Sequence, residues 1–148
     1  MRFAIAAALA FALGACGTST TPQPRPTPDE AGYSAAVHHW ATIVAADFGV
    51  ETNACPGDQC VPAADQIAKD CQSFLDALSS IDVPPRLVSG NDALRQGLEE
   101  LKDSAKTVAA DVAQSDYSGA ANALSRQTDG TSKIQEATSD FNAAGGLR

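Results

Sequence analysis

Between residues 62 and 81, Ile67, Cys71, Phe74, Leu78 and Ile81 step by four, three, four and three. That is the spacing of a packed helical seam. A second run, Val37, Trp40, Ala41, Val44 and Phe48, predicts a helix from about Ser34 to Phe48. A third follows Pro84 and Pro85, with Leu87, Leu94, Leu98, Leu101, Ala105, Val108 and Val112 separated by charged positions. The fourth is expected to be capped by Asp116 and to turn Tyr117, Ala121, Leu124, Thr128, Ile134 and Phe141 inward. Gly119 and Gly130 each weaken that helix by about 1 kcal/mol relative to alanine, so a bend or fray is expected at Asp129-Gly130. The connections read as about thirteen residues (Gly49 to Val61), then two or three, then two or three. Short connections impose antiparallel neighbours. The expectation is all-α, an up-down-up-down four-helix bundle, with a three-helix bundle and a loosely docked first helix as the fallback.

Composition supports the helical reading. The chain has 29 alanines but only five Phe, two Tyr and one Trp, and strands favour β-branched and aromatic residues. Ahead of the helices, Pro22, Pro24, Pro26 and Pro28 alternate within residues 17–32. Strict alternation favours polyproline II and a spacer that could reach about 50 Å at about 3.1 Å per residue. Before the spacer come Arg2 and an apolar run from Phe3 to Leu13, too short for a permanent membrane span. The expected division is residues 1–15 as a signal peptide, 16–32 as tether and 33–148 as the helical domain.

The run ends in Leu13-Gly14-Ala15-Cys16, which resembles the bacterial lipobox. The resemblance implies cleavage before Cys16, a diacylglyceryl group on its sulfur, and a protein anchored by lipid on the extracytoplasmic face of the cell membrane. Losing Arg2 with the signal changes ten basic and eighteen acidic side chains to nine and eighteen, a net charge of −9. Such a surface repels phosphate backbones, which excludes nucleic acid as a natural partner. It also repels anionic headgroups, leaving the anchoring to the lipid.

The order lipobox, Pro/Thr spacer and cysteine-bearing helical domain is similar to that of small, alanine-rich lipoproteins of high-GC Gram-positive bacteria. So are the joint Ser80-Ile81-Asp82-Val83-Pro84-Pro85-Arg86-Leu87 and the pattern Leu94-Arg95-Gln96-Gly97-Leu98. That resemblance implies a helical domain and supplies no activity and no catalytic residues.

With Cys16 lipidated, Cys55, Cys60 and Cys71 remain, an odd number for an oxidising compartment. Cys55 and Cys60 flank Pro56-Gly57-Asp58-Gln59, where Pro-Gly favours a turn. A helix starting near Cys60 would put Cys71 about 16 Å away, beyond the roughly 7 Å a disulfide spans. Two arrangements stay open: Cys55–Cys60 with Cys71 a buried thiol, and Cys55–Cys71 with Cys60 free. The first is preferred, since a buried thiol acts as an inert hydrophobe. A C-x4-C spacing is not the redox C-x2-C.

Other chemistry finds little footing. His38 and His39 are adjacent and project about 100° apart on a helix, too divergent to chelate one ion alone. Glu-x-x-His, Cys-x-x-Cys-His, Gly-x-Ser-x-Gly and glycine-rich phosphate loops are absent, and the stretch Asn53 to Asp58 lacks EF-hand register. No catalytic residue, metal or cofactor is expected. The reading is a lipid-anchored binding or interaction module with an unidentified protein or small-molecule partner. Its alternative is a small-ligand carrier with a pocket near Trp40, Phe48 and Phe74, and an enzyme comes third. The long Gly49 to Val61 connection is the expected docking surface, with the acidic stripe of the third helix next.

Overall fold

The computed structural model describes residues 28–147. The expected signal peptide 1–15, the expected lipidation site Cys16 and the expected tether up to residue 27 lie outside them. Four helices follow in order: α1 (Pro28–Ala54), α2 (Cys60–Ser79), α3 (Val88–Ala113) and α4 (Tyr117–Ala143), with a 3-10 turn at Pro85–Leu87 leading into α3. No strand occurs among the described residues. The all-α bundle is therefore the fold.

Two poles establish its direction. At one, Tyr33 near the start of α1 donates to Oδ1 of Asn91 near the start of α3, at 3.1 Å. The Tyr33 ring also packs edge-on against Phe141 at the end of α4. At the other pole, Cys60 and Ala64 of α2 cluster with Val108 and Ala109 of α3 and Ala123 of α4. Each helix thus runs antiparallel to the next, up-down-up-down.

The first helix is longer at both ends than its apolar run suggests. Pro28, the last of the alternating prolines, is the first residue of α1. Proline suits that position because its φ is already helical and its missing N–H would find no partner there. Asp29 and Glu30 then occupy the positive end of the dipole. Residues 28–32 belong to the helix, not to the tether. At the other end α1 continues to Ala54, so the thirteen-residue connection shrinks to the five residues Cys55 to Gln59. The apolar count misses this extension because the seam residue of the added turn is Glu51, only 1 % exposed.

Helices α2 and α3 bury most of what their spacing promised: Ile67, Cys71, Phe74 and Leu78 on one, Leu94, Leu98, Leu101, Ala105 and Val108 on the other, while Ile81, past the end of α2, and Val112 are only half-buried. On α4 the expected face is wrong in its first half. Tyr117 is 58 % exposed, and Ala121 and Thr128 are exposed as well. The buried line is Ala120, Ala123, Gln127, Gly130, Ile134, Ala137 and Phe141. Small and polar residues carry this seam, so a search for large apolar residues misplaces it.

Gly130 explains why. It does not fray the helix; α4 is continuous through it. A Cβ on Gly97 would lie 2.7 Å from the Gly130 carbonyl oxygen, and one on Gly130 would lie 2.9 Å from that of Gly97. The two glycines let α3 and α4 touch backbone to backbone, and this pair shares the most extensive helix contact, α1 and α2 the least of the three successive pairs. The α3–α4 turn closes with Ser115 at φ 60° and an Asp116 N–H bond to the Asp111 carbonyl, a Schellman arrangement. Oδ1 of Asp116 accepts from the Gly119 N–H at 2.9 Å, the expected cap. At the opposite pole Arg86 ion-pairs with Glu30 and donates to the carbonyls of Ala144 (2.8 Å) and Gly146 (2.9 Å). It ties the start of α1 and the end of the chain to the α2–α3 joint.

Candidate functional site

A groove of about 480 Å³ runs along α3 and α4. Gln96, Glu99, Glu100, Asp103, Ser104 and Thr107 line it from α3, and Arg126 and Asp129 from α4. The α3 residues fall at three- and four-residue steps, which puts them on one face of the helix. That face flanks the seam drawn tight by Gly97 and Gly130. Four carboxylates against one guanidinium make the groove negative, and most of these side chains are exposed. The acidic stripe of the third helix is thus one wall of a cleft rather than a plain solvated face.

The bundle interior is different. An apolar void of about 10 Å³ lies among Ala41, Val44, Phe74, Leu94, Leu98 and Ile134, room for a single water at most. Trp40 stacks on Phe74 with ring centroids 6.4 Å apart, and Phe48 packs against the same core. The aromatics proposed to line a carrier pocket fill the interior instead.

Cys55 and Cys60 form a disulfide, and Cys71 is a free, buried thiol. Of the two arrangements left open by spacing, this is the preferred one. The bridge joins the end of α1 to the start of α2 across a single turn, where closing so short a loop contributes about 2 kcal/mol. Burial, reinforced by the Asp70 charge, pushes the Cys71 thiol up to about 12, so it is a poor nucleophile. His38 and His39 are both exposed; the His39 ring meets the edge of Trp40. Asn53 spends its amide on the Gly49 carbonyl. Among the described residues no three His, Cys, Asp or Glu side chains converge to hold a metal ion. No helix among them is long and apolar enough to cross a membrane.

A polar cluster inside the α1 seam escaped the sequence reading. Glu51 accepts from Nε2 of Gln127 on α4 with both oxygens, at 3.1 and 2.9 Å, and burial raises its pKa above the ordinary value. One turn earlier, Oδ2 of Asp47 is buried without a donor. It faces Asp70 of α2, which offers only lone pairs while both carboxyls are ionised. Burial first, then a hydrogen bond to Asp70, then the Asp70 charge raise Asp47 to about 6. Asp70 also accepts from Nε2 of Gln66 at 2.5 Å. The four-residue step from Asp47 to Glu51 was visible, but both fell outside the apolar pattern and Glu51 outside the expected helix. The chain matches no protein-family model, no curated protein and no solved structure.

Proposed function

We propose that the protein is a lipid-anchored interaction module on the extracytoplasmic face of the cell membrane, tethered through Cys16. In this reading its α3–α4 groove receives a basic segment of a protein partner. The observation that carries the proposal is the contrast between that negative cleft and the void of only about 10 Å³ among the described core residues. A cationic segment suits the groove because Glu99, Glu100, Asp103 and Asp129 outnumber Arg126, and exposed pairs of this kind favour encounter and specificity. The interior argues against the carrier alternative. The five-residue connection Cys55 to Gln59 no longer has the length that made it the expected surface, and the Cys55–Cys60 disulfide fits a rigid connector.

Charge neutralisation tests the groove with a defined probe, a Lys/Arg-rich peptide titrated against the full-length protein in detergent. Glu99→Gln/Asp103→Asn/Asp129→Asn is expected to weaken binding about tenfold, three exposed pairs at a few tenths of a kcal/mol each. Asp58→Asn/Asp65→Asn/Asp76→Asn removes the same charge elsewhere and should leave affinity within about twofold. Equal weakening by both sets would show diffuse attraction and contradict the groove.

A further inference from the structure

We propose that the α1–α2 interface is a proton-operated latch: a proton on the Asp47 carboxyl, donated to Asp70, holds the C-terminal half of α1 in place, and its loss to solvent loosens that half. This inference is independent of what the groove binds.

The geometry begins with the orphaned Oδ2 of Asp47, buried with no donor and facing a second carboxyl. Two carboxyls in contact can make a hydrogen bond only when one holds a proton; with none, two like charges face each other across the joint. Glu51, one turn further along α1, adds a third carboxyl that is almost fully buried. Its hydrogen bonds from Gln127 satisfy its oxygens but bring no positive charge. From α2 come Asp70 and the neutral Cys71 thiol. From α3 comes Lys102, which acts on Cys71 and spends its ammonium on Gln72 Oε1 at 3.3 Å. Asp47, Glu51 and Asp70 thus all act on the Cys71 thiol, with Lys102 opposing them.

The consequences fall on α1 because of how it is held. Its first half is clamped by Tyr33–Asn91 and Glu30–Arg86, and its last residue adjoins the Cys55–Cys60 bridge. Between those fastenings the helix packs chiefly on α2, and α1–α2 is the least extensive of the three successive helix contacts. The stretch from Val44 to Ala54 can therefore open locally while both ends stay attached.

The direction of the pH effect follows from the sign of the shift. A carboxyl that binds its proton more tightly in the folded state stabilises it fully below its unfolded value, 3.8 for Asp47. That contribution is lost as the pH rises through about 6. Glu51, raised by burial, acts in the same direction.

Hydrogen exchange read by mass spectrometry on the full chain tests the latch. The measure is protection of the 44–54 peptide, corrected for intrinsic exchange and divided by that of α3–α4 peptides in the same molecule. Wild type is expected to lose about tenfold in this ratio between pH 5 and pH 7.5, one unit of proton affinity after allowance for partial exposure. In Asp47→Asn the amide donates to Asp70 without a proton, and the fall in the ratio between pH 5 and pH 7.5 should shrink to the part that Glu51 contributes. Asp70→Asn makes the same bond from the other side and serves if the first variant folds poorly. A wild-type ratio that does not change with pH, or a change as large in both variants as in wild type, overturns the proposal.

Discussion

Gly97→Ala is expected to destabilise the bundle by about 2–3 kcal/mol, although alanine is the better helix former by about 1 kcal/mol. The opposing effect is steric. The new Cβ would lie 2.7 Å from the Gly130 carbonyl oxygen, 2.8 Å from Ile134 Cγ1 and 3.1 Å from the Ile134 nitrogen. Two of these atoms are backbone, so relief requires α3 and α4 to separate along their whole contact. Gly49→Ala is the control, because nothing lies within 4 Å of its Cβ on the exposed side of α1. There alanine should add about 0.5–1 kcal/mol. Urea denaturation followed by circular dichroism reads both, and the opposite signs separate close approach from helix propensity. A stabilised Gly97→Ala would remove the backbone contact from this account.

The second large effect concerns location. Cys16→Ala is expected to move the protein wholly out of the membrane fraction and out of the detergent phase, while the helical domain keeps its circular dichroism. The reasoning is that each buried CH2 of an acyl chain contributes about 0.8 kcal/mol, and two chains together give stable attachment. The acidic domain supplies no electrostatic substitute. A variant that still pellets with membranes would place the attachment elsewhere.

Where the sequence was legible, large side chains mark the seam. Phe74, Leu98 and Leu101 repeat at helical spacing and are buried as expected. Asp116 precedes a helix start and caps it, and Pro56-Gly57 turns the chain so that Cys55 meets Cys60. Where it misled, the reason was a seam built from residues with other common uses. Pro28 reads as tether but opens a helix, and Glu51 reads as loop but is buried against Gln127. Gly130 reads as a break but is the point where two backbones meet. That last error also hid the groove. Placing Arg126 and Asp129 opposite Glu99 and Asp103 requires the true face of α4, and the large residues Tyr117 and Leu124 pointed to another one. The Asp47–Asp70 contact was hidden for a related reason, since neither carboxyl belongs to an apolar run.

The central claim is that the outer α3–α4 face, and not the interior or the disulfide turn, meets a partner. Site-specific photocrosslinking of the full-length protein in the cells that make it tests it most directly, with the crosslinker at exposed Gln96 in the groove and at exposed Asp65 on α2 as control. The account predicts one discrete protein adduct from position 96, lost when Glu99, Asp103 and Asp129 are neutralised, and none from position 65. The same adducts from both positions, or none from position 96, would contradict it.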